Sequence, residues 1–358
     1  MTFTGDASGI GGAITVSGGT LQIGSGGSTG TIGNKNITNN ATVAFNRSDA
    51  LSYSGVISGS GAVTKSGAGK LTLSGANTYT GKSTISGGTV SVAAASGLGG
   101  NPGSATADQI TLNGGTMEVT TGFTANANAG ITIGARSFIQ TGGLNGNAAF
   151  SKTGAGTLNL TNTAGNYSGT MTISAGIVRA NTSLTGATVV VASGGKLGGS
   201  GSLGGVTVSS GGSLTPGNSP GNLTVSSLTL NGGGAYDWEI TDATGAAGTG
   251  WDVVTVGGGT GAITLNATSG NTYTINIIAS TVSNWASSTS RTWDIIDAGS
   301  WSAAFDATAF SINTSGFNPA PTSTSQWSVA DINGNLQLVY TAAATALDSG
   351  SGTVTQSS

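Results

Sequence analysis

The chain has 358 residues with 65 Gly and 36% hydrophobic residues, but only 6% are charged, and Cys and His are both absent. Without Cys there are no disulfides and no thiolate metal sites, and no pattern indicates a cofactor. The net charge is −3 and the Lys and Arg residues are spread singly, which excludes the clustered cations that nucleic-acid binding needs.

Short alternating segments run along the chain from its first residues. Polar and apolar residues alternate in AITV at 13–16, TLQI at 20–23, KLTL at 70–73, TVSV at 89–92, TLNL at 157–160, TMTI at 170–173 and SLTL at 227–230. A period of two predicts strands with one buried face, and the Gly-rich dipeptides between them predict turns. No helical periodicity persists over ten residues, and no window is apolar for long enough to span a membrane.

One phrase recurs along the first two thirds of the chain. Its front half reads VTKSGAGKLTL at 63–73 and FSKTGAGTLNL at 150–160, and its tail appears at 13–24, 83–94 and 171–182. A unit too small to bury its own apolar face must bury it against its neighbours. The turns are rich in Asn, Gly and Ser and do not read as the two-residue Asn-Gly hairpins expected of an antiparallel meander. The sequence therefore predicts an all-β fold, a parallel β-helix (β-solenoid) over residues 1–233.

The composition changes near residue 234. All six Trp residues follow it, and two segments read as hairpins, ITLNATSGNTYTINII at 263–278 and SVADINGNLQLVYT at 328–341 with Asn333-Gly334 at the turn. We predict a β-rich capping subdomain over residues 234–342. Residues 343–358 are small and polar, and we predict a flexible tail there.

The repeated phrase resembles the passenger-associated repeat of bacterial autotransporter-type exported proteins. It stands here as SGAGKLTLSGANTYTGKSTISGGTVSV and as KTGAGTLNLTNTAGNYSGTMTISAGIVRA, and a second signature, SGGKLGGSGSLGGVTVSSGGSLTPGNSPGNLTVSSLTL, stands at 193–230. The resemblance covers about residues 1–230 and implies a right-handed β-helix that is extracellular or at the bacterial cell surface. It implies no single activity, because such repeats are scaffold.

Two short motifs match catalytic or cofactor patterns without their context. The segment 217–221 fits G-x-S-x-G, but the chain has no His to take the serine proton. The segment 199–204 fits G-x-G-x-x-G, but the residues after it read as a strand, whereas a dinucleotide site needs a helix. We interpret both as turns.

Two alternative functions would have the surface of the protein bind a ligand, either a glycan or ice. Asp237 and Glu239 project from one side of a strand near Trp238 and Trp251, so these four residues form a possible glycan contact in a carbohydrate-binding or polysaccharide-degrading protein. The second alternative is an ice-binding solenoid, for which a flat hydroxyl array would be formed by Thr111, Thr157, Thr161, Thr170, Thr172, Thr272 and Thr274.

The favoured interpretation is a non-enzymatic extracellular structural protein, a rigid rod at the cell surface or in a self-assembling fibre, for adhesion or biofilm-type scaffolding. Open strand edges template pairing with another chain, and the N-terminal segment begins within a repeat without a capping helix. We therefore predict end-to-end or lateral self-association. The possible assembly edge consists of Thr2, Phe3, Thr4, Ile14, Val16, Leu21 and Ile23.

Overall fold

The computed structural model describes residues 1–100, 102–120, 123–125, 128–134, 138–141, 144–161, 166–319 and 323–343. Its strands up to residue 160 are β1 (Thr2–Phe3), β2 (Ile14–Val16), β3 (Thr20–Ile23), β4 (Ile37–Asn39), β5 (Thr42–Phe45), β6 (Leu51–Tyr53), β7 (Ile57–Ser58), β8 (Ala62–Lys65), β9 (Lys70–Leu73), β10 (Ser83–Ile85), β11 (Thr89–Val92), β12 (Thr106–Leu112), β13 (Thr116–Val119), β14 (Phe123–Ala125), β15 (Ala129–Ile133), β16 (Phe138–Thr141), β17 (Leu144–Gly146), β18 (Phe150–Lys152) and β19 (Thr157–Leu160).

The later strands are β20 (Thr170–Ile173), β21 (Gly176–Ala180), β22 (Ser183–Leu184), β23 (Thr188–Val191), β24 (Gly195–Gly199), β25 (Ser202–Val208), β26 (Ser213–Pro216), β27 (Asn222–Leu230), β28 (Ala235–Glu239), β29 (Val253–Val256), β30 (Ala262–Leu265), β31 (Tyr273–Ala279), β32 (Arg291–Asp297), β33 (Ser300–Trp301), β34 (Phe310–Phe317), β35 (Trp327–Ile332) and β36 (Asn335–Tyr340). Short 3₁₀ helices are η1 (Ala95–Leu98), η2 (Ala307–Ala309) and η3 (Thr324–Gln326).

The chain winds around a common axis and lays one strand on each of three faces per winding. In one winding β8 lies on face I, β9 lies on face II, and residues 78–80 lie on face III before β10 returns to face I. Each strand pairs in parallel with the strand of the next winding: Val63 is opposite Ser83, and Leu71 is opposite Val90. The backbone amides of residues 78 and 80 continue face III by donating to the Ile57 and Gly59 carbonyls. The predicted all-β parallel β-helix is confirmed.

The three faces have the following members. Face I contains β1, β3, β5, β8, β10, β12, β15, β18, β20, β23, the C-terminal halves of β25 and β27, then β30 and β33. Face II contains β6, β9, β11, β13 and β16, followed by β19, β21, β24, β26, β28, β31 and β34. Face III contains β2, β4, β7, β14, β17, β22, the N-terminal halves of β25 and β27, then β29 and β32.

The alternation read in the sequence places every second side chain in columns inside the solenoid. On face I one inward column is almost wholly aliphatic or aromatic: Val43, Val63, Ile110, Ile131, Phe150, Met171, Val189, Val206, Leu228 and Ile263. Burying each such side chain contributes about 1.5–3 kcal/mol. Because each winding supplies only a few of these residues, the core exists only when windings stack.

Glycines at the corner between faces I and II allow this stacking. Gly67 and Gly69 belong to the G-A-G of the repeated phrase, and a Cβ atom on either would overlap the backbone of Arg47 or Asp49 in the preceding winding. A Cβ on Gly18, by contrast, would meet nothing within 4 Å. The Gly residues of the phrase therefore stand where the backbone of one winding contacts that of the preceding winding and leaves no room for a side chain.

The parallel ladders continue across the boundary predicted at residue 234. In β27, Leu228 pairs with Ile263, 35 residues later, and Ala235 of β28 pairs with Thr274, 39 residues later. The windings here carry longer loops outside the ladders. Residues after 234 are thus a continuation of the solenoid up to β34 and only the last hairpin departs from it, while the predicted tail at 343–358 lies outside the described residues except for residue 343.

Of the two predicted hairpins, only the second exists. The segment 263–278 supplies β30 to face I and β31 to face II, and its antiparallel pairing is confined to one bridge between Thr268 and Asn271, so the prediction of two paired hairpin strands there is wrong. The segment 328–341 forms an antiparallel pair, β35 with β36, around Asn333 and Gly334, whose φ angles of 57° and 89° suit a primed turn. Strand β36 also pairs antiparallel with β32 and ends the parallel ladder on face III.

An aromatic cluster fills the solenoid next to this hairpin. Trp285 stacks on Trp327 with ring centroids 5.9 Å apart, and Trp293 lies 5.7 Å from Trp238. Phe317 and Tyr340 pack against Trp285 from the sides. These large rings fill the apolar interior at the C-terminal end of the solenoid, where no further winding of the described residues covers the aliphatic columns.

Candidate functional site

The repeated phrase places a lysine inside the solenoid. Lys65 and Lys152 occupy equivalent places at the ends of β8 and β18, and each is at most 2% exposed. The Lys65 ammonium donates to the carbonyls of Gly67 and Gly87, the latter at 3.3 Å. The Lys152 ammonium donates likewise to Gly154 and, at 3.2 Å, to Ala175 of the next winding. Sequence reasoning did not assign these lysines a role, although their recurrence before G-A-G was visible.

Within the described part of the chain, the hydrogen-bond partners of the two lysines include no carboxylate. Burial lowers the pKa of both ammonium groups, because the charged form loses water. Each ammonium satisfies backbone carbonyls of two successive windings at a tight corner. These lysines therefore fasten one winding to the next and are not candidates for binding a ligand.

Buried Asn and Tyr side chains connect the windings on face III. The Asn77 side chain accepts from the Ile57 amide at 2.8 Å and donates to the Gly97 carbonyl at 2.7 Å. The Tyr167 hydroxyl donates to the Ala148 carbonyl at 2.7 Å, and the Tyr79 hydroxyl bonds Ser83. Asn77 and Tyr167 thus supply polar contacts that run along the axis in addition to the backbone ladder, whereas the Tyr79 contact stays within one winding.

Two carboxylates, Glu239 and Asp252, form a cluster around the turn at 217–221. Asp252 is 1% exposed and accepts from the amides of Gly221 at 2.8 Å and Glu239 at 3.0 Å. Glu239 is half-buried and accepts the Ser219 hydroxyl at 2.7 Å. Ser219 has a φ of 105°, a conformation that L residues rarely adopt. The structure brings Glu239 and Asp252 together, as the sequence could not show.

Asp252 is the most perturbed carboxyl of this cluster. Burial raises its pKa to about 7, against the opposing effect of the two amides that donate to it. Both of its oxygens are occupied by the backbone, and no surface of it faces solvent. A glycosidase acid must reach a glycosidic oxygen, so Asp252 serves the turn and not a substrate.

The residues predicted to contact glycans divide between core and surface. Trp238 is completely buried and donates its indole N–H to the Asp252 carbonyl at 2.8 Å, so it offers no face to a sugar and that part of the prediction is wrong. Asp237 pairs with Lys196 at 2.6 Å and accepts from Asn276 at 2.7 Å. Trp251 is half-buried and donates to the Asp294 carbonyl at 3.1 Å. Only Glu239 and the exposed part of Trp251 remain accessible.

The residues of the predicted assembly edge also divide. Thr2 and Phe3 form β1, and Ile14 and Val16 belong to β2; in the described structure β1 pairs only with β3, and β2 only with β4. Leu21 and Ile23 lie in β3 between β1 and β5, where they are buried, so these two are core residues and not edge residues. Thr4 follows β1 and is exposed.

An apolar opening lies beside this edge. It has a volume of about 420 Å³ and its lining includes Met1, Phe3, Ile10, Ile14 and Leu21, without any carboxylate. Among the described residues no group of three or more His, Cys, Asp and Glu is placed to hold a metal ion. Nor does any helix within the described ranges have the length and hydropathy to cross a membrane.

Comparison with known proteins gives one positive result. Residues 1–23, 63–92 and 150–180 match the passenger-associated-transport-repeat family, and these segments contain β1–β3, β8–β11 and β18–β21. A search of curated proteins finds no match. The second and third segments place Lys65 and Lys152, Tyr79 and Tyr167 in corresponding positions of their windings. Proteins with such repeats are exported to the surface or the outside of the cell, and this chain carries autotransporter passenger repeats wound into a parallel β-solenoid.

Proposed function

We propose that the chain is a non-enzymatic structural passenger, a rigid extracellular rod that supports adhesion or matrix building. The observation that carries this proposal is the unbroken stack of windings. Face I alone contains fourteen strands among the described residues, from β1 to β33. At about 4.8 Å per winding these strands extend over ~62 Å.

The polar side chains inside or against this stack are occupied by structural contacts. Lys65, Lys152 and Asn77 bond the backbone of neighbouring windings, and Asp252 holds the turn at 217–221. An enzyme needs polar groups that are held in place and yet reach a substrate. The buried polar groups described above have no such access, which supports a scaffold and not a catalyst.

Self-association is part of the proposal. Only 6% of residues are charged, so repulsion between copies is weak. End-to-end stacking would need open ladders at both ends, but β36 closes face III at one of them. The sides of the rod are therefore better suited to contacts between copies than its ends.

The test uses the purified chain on two assays. Beads coated with the chain should aggregate and retain one another, whereas beads coated with serum albumin should not. The same protein, incubated with a panel of polysaccharides, should release no reducing ends. Beads that stay dispersed would contradict the scaffold. Oligosaccharide release that is lost in Glu239→Gln would replace it with an enzyme.

A further inference from the structure

The outer side of face I carries a column of hydroxyl side chains. The central outward residue of each strand pairs in register with that of the next winding, and ten successive windings contribute Thr64, Thr84, Thr111, Thr132, Ser151, Thr172, Val190, Thr207, Thr229 and Thr264. Eight of these ten residues are Thr, and all of them are half-exposed. The ice-binding alternative had named only Thr111 and Thr172 from this column, and its other threonines include Thr157 and Thr274 of face II.

The residues on both sides of this column are small or uncharged. Towards the ends of the strands the next outward residues are Ser66, Ser86, Asn113, Gly134, Thr153, Ser174, Ala192, Ser209, Asn231 and Asn266, whose amides continue the ladder. On the other side are Ala62, Ala149, Thr170, Thr188, Gly205, Ser227 and Ala262, together with Lys82, which is paired with Asp108 at 2.6 Å. Among the side chains of this surface that the structure describes, only that of Lys82 is long enough to hold a flat partner away.

Face II differs from face I in charge. Its outward residues include Lys70 and Glu118, paired at 2.5 Å, as well as Arg179, Lys196 and Asp237. These are five charged residues on face II, whereas the outer surface of face I carries only the paired Lys82 and Asp108 among the described residues of these ten windings. Face I is left as a neutral sheet surface over ten windings.

We propose that the outer surface of face I pairs with face I of a second copy of this chain. The spacing along the column is that of hydrogen-bonded strands, about 4.8 Å. A second copy has the same spacing, so all ten residues of the column, one from each winding, can meet residues of the other copy at once. A surface with a different repeat would lose this register along the rod. Because the same surface is used by both copies, the pair is closed and isologous.

The available area fits a weak, specific pair. Nine intervals of about 4.8 Å and strands of about 13 Å give roughly 560 Å² per copy and about 1,100 Å² in total. That total lies just below the range of stable interfaces and within that of transient encounters. Many copies on one surface would convert weak pairs into firm adhesion between surfaces. This inference rests on the proposed scaffold function and names its contact.

The test uses matched double variants in the same two strands. Thr207→Lys with Thr229→Lys places two ammonium groups on adjacent rungs of face I. Ser202→Lys with Thr224→Lys places them on adjacent rungs of face III, also in β25 and β27. Both double variants change the net charge equally and place two like charges on neighbouring strands. Their circular dichroism spectra and thermal unfolding midpoints should therefore be the same.

Sedimentation velocity over a concentration series measures the pairing. We expect the unmodified chain and the face III double to form dimers, and the face I double to have a dissociation constant at least about tenfold higher, since like charges then face each other across the contact. The chain has no Cys, so a single Ser151→Cys variant should also cross-link to its own copy with a short bismaleimide, whereas Ser202→Cys should not.

Three results would overturn the inference. They are a chain that remains monomeric at all concentrations, doubles that lose dimerisation equally, or thermal hysteresis of freezing that disappears only in the face I double, which would assign the surface to ordered water. Bead aggregation that persists in the face I double would refute this contact and leave the scaffold function intact.

Discussion

Asn77 offers the sharpest test of how the windings are held together. Its side chain is 3% exposed and bonds the Ile57 amide of the winding before and the Gly97 carbonyl of the winding after. In Asn77→Ala both backbone groups lose their partner inside the protein. Each orphaned buried group costs about 1–3 kcal/mol, so we expect the free energy of unfolding to fall by about 3 kcal/mol.

Asn40 is the matched control. Its side chain is exposed and accepts from the Ser60 amide at 3.3 Å, also one winding away, so in Asn40→Ala water replaces the lost partner and the cost is about 0.5 kcal/mol or less. Urea unfolding followed by far-ultraviolet circular dichroism compares the two variants, and hydrogen exchange at Ile57 locates the effect. A difference below about 1 kcal/mol would refute the reasoning. Tryptophan fluorescence is unsuitable, because every Trp lies beyond residue 237.

Three further predictions concern the corner glycines, Asp252 and the buried lysines. Gly69→Ala places a Cβ against the Asp49 backbone and should lower the free energy of unfolding by about 3 kcal/mol, whereas Gly18→Ala should change it by less than about 1 kcal/mol; equal thermal midpoints would contradict the packing argument. Because the pKa of Asp252 is raised to about 7, above its unfolded value of about 3.9, the stability that it contributes is present at low pH and is lost as the pH rises from about 4 to 7. Urea titrations across that range should show this loss in the unmodified chain and not in Asp252→Asn; a slope shared by both would assign it to other groups. Burial lowers the pKa of both lysines below the unfolded value of about 10.4, so the folded chain loses these protons first as the pH rises. The free energy of unfolding should therefore increase with pH until the pH reaches about 10.4. The double variant Lys65→Met with Lys152→Met should lack this increase, and the same pH dependence in both proteins would count against the assignment.

The architecture was readable because strands and turns are local. The alternation in KLTL at 70–73 gives the strand one apolar face, and the repeat at 63–92 and 150–180 is too small to bury such faces alone. In the structure the windings bury them by stacking on one another. The segment 263–278 misled because two strands of one winding, on adjacent faces, have the same alternation as the two arms of a hairpin. Only the pairing of Ile263 with Leu228, 35 residues earlier, distinguishes them, and that contact is not local.

The candidate sites were harder to predict than the fold. The alternation correctly placed Asp237 and Glu239 on one side of the strand and Trp238 on the other. It could not show which of these side chains a neighbouring loop would cover. Asp252 became buried because the turn at 217–221 packs over it. The hydroxyl column of face I also escaped notice, because its members are separated by 17 to 35 residues and only the register aligns them.

The register of face I has a consequence for the length of the rod. Val63 lies opposite Ser83, so residues 63–82 make up one complete turn around the axis. Excising this segment would bring β10 directly onto β5, with inward and outward side chains still on their proper sides and the rod about 4.8 Å shorter. Windings of 19 and 21 residues, from Ile131 to Phe150 and from Phe150 to Met171, keep the same sides, so the loops at the corners absorb small differences in length. Evolution can therefore shorten or extend such a molecule in whole turns, and the reach of the protein from a surface can change in fixed increments while its cross-section stays the same.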